Sequence, residues 1–371
     1  MAKTNESDKN KEKNEILFKD KGDASKFLNP GTERKQSLKG FNDDYVDIVD
    51  YILRCTHLIW EEHGIGRIYD HYMHKAPIWT SDGLTYGRDI VMQGTAMTQA
   101  AFPDARLWGD EVIWSGNDED GFHTSHRISW TGHNTGYSIY GPPTGRKIYR
   151  FGIANCYVTE NKVTEEWIAR DELSLITQLG FNPWEMAAKM VKKAQKKGIS
   201  PQIDGEIERL QGQNHPEELP PPKSGAFDIE DFVRRSMHEI WNWRLLNKIN
   251  DYYESNYLFH GPAGRELYGT GNLKAFILSM LAAFPDLGIN IDHMYWNGNE
   301  KDGYNVATRW TFQGTHEGPG IYGEPTGKRV QIMVISHQYV RNGKFVKEWT
   351  VFDEFVLLKQ LYTPEIHGEF E

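Results

Sequence analysis

Ala100-Ala101-Phe102-Pro103-Asp104 recurs 182 residues later as Ala282-Ala283-Phe284-Pro285-Asp286. The same offset aligns Trp114 with Trp296, Gly121 with Gly303, Arg127 with Arg309, and Pro143-Thr144-Gly145 with Pro325-Thr326-Gly327. From residue 100 to 180 no gap is needed and 31 of 81 positions are identical, so the chain holds one domain twice. Upstream the offset is 181, pairing His57 with His238 and Trp60 with Trp241, and the missing residue is absorbed between Tyr72 and Tyr86. The repeats divide the chain into an arm (1–41), a first domain (42–183), a helix extension and linker (184–225), and a second domain (226–371). The arm is rich in Lys, Asn, Asp and Glu without a sustained apolar period, and is expected to be disordered or loosely docked.

Both copies have one order. Helical patterns span roughly 42–102 and 227–284, the first opening on Asn42-Asp43-Asp44 as a cap before Tyr45, Ile48, Val49, Ile52 and Ile59. β-rich runs come next, Ile148–Tyr157 and Val163–Ala169 in one copy, Val330–Val340 and Phe345–Phe352 in the other. Helices first and a meandering sheet afterwards is an α+β arrangement. Asn342-Gly343 marks a hairpin. A two-residue turn would put His337 and Asp353 on opposite faces, and a turn with a glycine bulge would put them on the same face.

Composition narrows the function. With 371 residues, a net charge of −10 and no long apolar run, neither nucleic acid nor a membrane is an expected partner, and a cytoplasmic protein is the default. The first apolar stretch is too short and too polar for a signal peptide. Cys55 and Cys156 form no disulfide framework or metal spacing. His123 and His126 fall on opposite faces of a strand, so no metal site is expected. No phosphate loop, dinucleotide fingerprint or Ser nucleophile elbow appears, so no cofactor is expected either. Aromatics reach 13%, with 12 Trp, and a lined pocket is one explanation.

Candidate chemistry begins at Glu166-Trp167-Ile168-Ala169-Arg170-Asp171 and its copy Glu348-Trp349-Thr350-Val351-Phe352-Asp353. Period two places Trp167, Ala169 and Asp171 on one face, and Trp349, Val351 and Asp353 on its counterpart. If that face is concave, each Asp sits at the base of an aromatic-walled pocket, where desolvation raises its pKa toward the range of a general acid or base. Against this, Asp is also a favoured helix N-cap, and a helical pattern starts right after it. His316, where the first copy has Asn134, stands in a Gly- and Pro-rich loop that is otherwise structural. Arg127 and Arg309 could hold a carboxylate or steady an enolate if they face a pocket, and are solvated surface if they face out. His260 and His337, with Asn155 at the latter's place in the first copy, and the shared Tyr157 and Tyr339 complete the candidate set.

At these motifs the chain resembles the SnoaL-like polyketide cyclase (ester cyclase) family, within the nuclear transport factor two-like superfamily. Gly314-Thr315-His316, Pro325-Thr326-Gly327-Lys328, and Glu348-Trp349 through Asp353 to Gln360-Leu361 carry the resemblance, with Pro142-Pro143-Thr144-Gly145-Arg146 and Glu166-Trp167 through Asp171 to Gln178-Leu179-Gly180 in the first copy. It implies tandem cone-shaped domains, each a curved, mostly antiparallel sheet wrapped by helices around a pocket. The two would pair sheet to sheet as an internal pseudo-dimer, and further homo-oligomers are compatible with it. It implies Asp353 and Asp171 as acid/base residues and carries the family's loop His onto His260 only.

The leading expectation is a cofactor-free proton-transfer enzyme. Asp353, with Asp171, His316 or His260, would act on a small or medium apolar carbonyl compound, and the products would be those of aldol-type cyclisation or isomerisation. Trp349, Trp167, Tyr339, Tyr157, His337, Asn155, Arg309 and Arg127 are the expected substrate contacts. A hydratase, dehydratase or epoxide hydrolase in the same pocket is the alternative, with Asp110 and Asp292 completing Asp-Arg-Asp sets. A non-catalytic ligand-binding or interaction module is the other.

Overall fold

The computed structural model describes residues 18–19, 31–198, 219–222 and 225–362. In the arm, β1 (Phe18–Lys19) pairs antiparallel opposite Val112 and Glu111. Further along it, Leu38 and Phe41 are buried in the core of the first repeat. Its end is therefore packed rather than loosely docked, because two large apolar side chains leave water there. Most of the remaining arm, and linker residues 199–218, lie outside the described residues.

In the first repeat α1 (Ile48–Trp60) turns Ile48, Ile52, Cys55 and Ile59 inward along one stripe. Its N-cap is Asp47, which accepts from Asp50 N at 2.8 Å; the expected cap at 42–44 precedes the helix, and Asp44 pairs with Arg54 at 3.3 Å instead. Then come α2 (Ile68–His71), the hairpin β2 (Pro77–Thr80) and β3 (Gly83–Tyr86), and α3 (Arg88–Ala101). Strands of four residues are too short to break a helical reading of 42–102. The long strands β4 (Arg106–Asn117), β5 (Gly121–His133), β6 (Lys147–Thr159) and β7 (Lys162–Arg170) lead into α4 (Glu172–Gln178) and α5 (Pro183–Gln195).

The second repeat has the same order. α6 (Ile229–Met237) runs into a π-turn at His238–Asn242, and α7 (Ile249–Tyr252), β8 (Tyr253–His260), β9 (Glu266–Tyr268) and α8 (Gly269–Ala283) come after it. β10 (Gly288–Asn299), β11 (Gly303–Thr315), β12 (Arg329–Arg341), β13 (Lys344–Phe352) and α9 (Glu354–Tyr362) complete it.

The two sheets are ordered β1-β4-β5-β6-β7-β2-β3 and β10-β11-β12-β13-β8-β9. Among the described strand pairs, β2 on β7 and β8 on β13 are parallel and the rest antiparallel. Bulges at Gly109/Glu111 and Ile291/His293 interrupt the outer long strands, where an extra residue bends a sheet. Asn342 and Gly343 both take positive φ and Arg341 pairs with Lys344, so the hairpin has a two-residue turn. A bulge beyond it, between Tyr339 and Val340, sets His337 directly across from Trp349. Turn and bulge both occur, which neither expectation alone describes.

Each sheet is covered twice. Phe151, Ile153, Trp167 and Ala169 pack against Met333, Ile335 and Val351 of the other sheet. The opposite faces turn toward their own repeat's helices. Asn297 gives Nδ2–H to Trp114 O and accepts from Trp114 N, both at 3.0 Å, locking the two sheets edge to edge.

Candidate functional site

Along β7 the side chains alternate, and Glu166, Ile168 and Arg170 turn to the concave side while Trp167 and Ala169 turn to the other sheet. The concave side of the first repeat encloses a cavity of about 490 Å³. That volume suits a ligand of one to three rings. Ile52, Ile59, Trp60, Ile78 and Trp130 supply apolar wall. The matching cavity in the second repeat holds about 30 Å³.

One lateral row across three strands accounts for much of the difference. Ile128, Gly152 and Arg170 pair across β5, β6 and β7; Trp310, Val334 and Phe352 pair in the same register across β11, β12 and β13. An indole, an isopropyl group and a phenyl ring occupy the second cone where the first has an isoleucine, a bare backbone and a guanidinium. Polar groups there are consumed as well. Trp310 Nε1 donates to Ser336 Oγ at 3.0 Å, Ser336 Oγ lies 2.7 Å from Thr350 Oγ1, Thr350 bonds Glu348, and Tyr257 O–H donates to Glu348 at 2.8 Å. The second cone is a packed core.

In the first cone the equivalent carboxylate is far less satisfied. Glu166 is 8% exposed, and it accepts from Tyr72 O–H on Oε2 at 3.3 Å. Burial raises its pKa, with Arg170 and Tyr72 pulling the other way. His126 lies one pleat along and two strands across. Burial, with His337 and Arg127 nearby, pushes its pKa down to about 3, so the ring is neutral. Gly109 makes room for it, since an added Cβ would run into Nε2. Burial raises the thiols of Cys55 and Cys156, which also line the cavity, so neither supplies a thiolate at neutral pH.

The second repeat completes the cavity wall. Asp353, Phe355 and Lys359, at the start of and along α9, line the first repeat's cavity. Asp353 Oδ1 accepts from Phe355 N at 3.0 Å and Val356 N at 3.1 Å. Burial drives its pKa well up, aided by Glu172 and Asp82. Lys359 pairs with Asp82, Arg150 with Glu172, and Tyr140 O–H donates to Glu172 at 2.7 Å.

Asp353 is thus the one expected site residue that reaches the cavity, and it belongs to the other repeat's pocket wall rather than its own. Asp171 caps α4 by accepting from Ser174 N at 3.1 Å and takes Ala263 N at 3.0 Å on both oxygens, and it lines neither repeat's cavity. His316 is fully buried; its Nδ1 accepts from Thr326 N at 3.3 Å and lies 3.2 Å from Thr326 Oγ1, pinning the loop as Asn134 does from Thr144 N. His260 stacks on Trp349 at 4.0 Å and pairs with Glu266.

The expected substrate contacts lie on the sheet face opposite the cavity. Arg127 sits 4.2 Å from the Trp349 ring and binds Asp110 at 2.9 Å, while Arg309 sits 4.0 Å from the Trp167 ring. His337 Nδ1 lies 3.0 Å from Glu111, and its Nε2 lies 2.7 Å from Ser125 Oγ, which donates to Asn155 at 2.7 Å. Tyr339 donates to the same Glu111, and Tyr157 stacks on His123 at 4.7 Å. No Asp-Arg-Asp set forms around Asp171. The alternation is as expected, and the concave side is the other one. Glu166 and Arg170, on the same strand as Trp167, are the residues that sequence reasoning missed. Among the described residues no cluster of three or more His, Cys, Asp or Glu is placed to hold a metal, and no helix is long and apolar enough to cross a membrane.

A family model described as SnoaL-like polyketide cyclase matches residues 52–179 and again 231–361, well over half of the chain. Solved structures similar to it include IdmH from Streptomyces antibioticus, 23% identical with a TM-score of 0.31, covering 36% of this chain and 96% of its own. TsrD from Streptomyces laurentii is 21% identical with a TM-score of 0.32, covering 37% and 98%. A SnoaL-like polyketide cyclase from Agrobacterium tumefaciens is 18% identical with a TM-score of 0.31, covering 37% and 99%. No curated protein matches the chain.

Proposed function

The chain belongs to the SnoaL-like polyketide cyclase family through both of its repeats, and from that premise we propose a cofactor-free proton-transfer enzyme working in the first repeat's cavity. The observation that carries the proposal is an open, largely apolar cavity holding a buried carboxylate that is not saturated with hydrogen bonds. Burial weakens Glu166 as an acid and so strengthens it as a base.

In this reading Glu166 takes a proton from the carbon next to a substrate carbonyl. The C–H electron pair moves into the carbonyl and leaves an enolate. That enolate attacks a second carbonyl of the same molecule, and the alkoxide so formed takes the proton back from Glu166; in isomerisation Glu166 returns the proton to another position of the enolate. The walls are largely apolar, and the neutral His126 ring lines the same concave face two strands from Glu166, where it can meet the developing enolate. Two strand spacings across and one pleat along put their backbones about 12 Å apart, which leaves room for a flat ring system between them. Asp353 is a second carboxyl at the same cavity, supplied by the other repeat. The second repeat's own Glu348 has no such role, because its cone is filled and its oxygens are taken.

Deuterium wash-in from D₂O next to the carbonyl of 2-tetralone tests proton abstraction without a known substrate. Enzyme-dependent exchange is expected, falling by about 10²–10⁴-fold in Glu166→Gln. Exchange undiminished in that variant refutes Glu166 as the base.

A further inference from the structure

Three cations line the first repeat's cavity: Arg150, Arg170 and Lys359. Two are committed. Arg150 pairs with Glu172, and Lys359 pairs with Asp82. Arg170 differs, because among the described residues no carboxylate comes within ion-pair distance of its guanidinium. The charged groups that act on it from further away are Arg150, Glu172 and Glu166, with Tyr72 beside them.

Arg170 is half-buried with its side chain lining the cavity, and a guanidinium's fork of five N–H donors matches a carboxylate edge to edge. The repeats make the comparison directly. Where the cone is closed the same register position carries Phe352, which needs no partner; where the cone is open it carries Arg170. A cation that lines open volume in one copy, where the closed copy has a phenyl ring, is placed for something that enters that volume.

We propose that the first repeat's cavity takes a carboxylate-bearing aromatic compound, with Arg170 pairing the carboxylate. This rests on the reading of that cavity as the substrate site and names the substrate class it favours. Position comes from the strand. Glu166 and Arg170 are four residues apart on β7, about 13 Å between backbones, on the same face. A fused-ring acid whose carboxylate meets Arg170 therefore brings its far ring toward Glu166. Neutral rings of the same shape fit the apolar wall equally well but leave Arg170 unpaired.

Calorimetric titration with 2-naphthoate and with 2-naphthamide separates charge from shape. The acid is expected to bind the wild-type chain about tenfold or more tightly than the amide. In Arg170→Met the two are expected to bind within about threefold of each other, and Arg170→Lys keeps a reduced preference for the acid. Circular dichroism and thermal melts of all three proteins establish that the variants are folded. Equal binding of acid and amide to the wild type, no binding of the acid, or a preference that survives in folded Arg170→Met overturns the inference. Glu166→Gln is expected to retain the acid preference, so loss of the base assignment and loss of the anion site are read in separate experiments.

Discussion

Asp171→Asn is the perturbation that most sharply divides a structural carboxylate from a catalytic one. Asp171 is 3% exposed, and burial pushes its pKa from an ordinary 3.8 up to about 6, even though backbone N–H groups of Ala263 and Ser174 pull it down. The folded chain therefore holds this proton more tightly than the unfolded chain does. Stability is highest below the unfolded value, falls as pH rises through the window from about 4 to about 6, and is level above it. The shift corresponds to about 3 kcal/mol across that window. Asn cannot titrate, and it is an equally good N-cap. Urea unfolding of both proteins between pH 4 and pH 7 is the assay. The variant's stability relative to wild type is expected to climb by about 3 kcal/mol over the range, less about 1 kcal/mol at every pH for a hydrogen bond its amide group cannot accept. Deuterium exchange into 2-tetralone is expected to stay at the wild-type rate. Parallel pH profiles for the two proteins, or lost exchange in a folded Asp171→Asn chain, would refute the assignment of Asp171 to the seam between repeats.

The same geometry fixes other outcomes. Ile128→Trp installs the second repeat's indole in the first cone and is expected to abolish 2-naphthoate binding by calorimetry while the melting temperature moves by only a few degrees. Glu348→Gln is expected to leave deuterium exchange unchanged, in contrast to Glu166→Gln, because its oxygens are bonded within a filled cone. His337→Leu leaves Glu111 in the sheet interface with one fewer partner and is expected to lower stability by about 2–4 kcal/mol in urea titrations, without an effect specific to ligand affinity.

Much of the fold was legible. Duplication, helices ahead of strands, and alternation along β5 and β7 all follow from residue spacing, and the structure keeps Ser125 and Arg127 on one face of β5 with His126 on the other. The short hairpin β2–β3 was not legible, because four-residue strands carry little periodic signal. The concave face was not legible either, for a more basic reason. When a sheet is covered on both sides, each face carries apolar and polar residues, and the period identifies two faces without ranking them. Residues kept in both copies (Trp167 and Trp349, Arg127 and Arg309, Asp171 and Asp353) stand out because they recur. They recur where the two sheets meet, or where a helix needs a cap, and both copies need those. A usable signal lay in the differences. Ile128 against Trp310, Gly152 against Val334, and Arg170 against Phe352 are three changes of size on one face and in one lateral row, which is what an emptied and a filled cone require.

Joining the two copies in one chain has a consequence that comes from symmetry. In a dimer of identical chains, any substitution that fills one cavity fills both, and any gain in core packing is bought with the loss of every site. Fusion breaks that equivalence. One cone can close into solid core while the other stays open, and the closed copy still lends Asp353, Phe355 and Lys359 to its neighbour's wall. Those borrowed residues stay in place at any dilution, since no dissociation equilibrium stands between the lender and the cavity. Ligand titrations should therefore saturate at one molecule per chain, with an affinity independent of protein concentration.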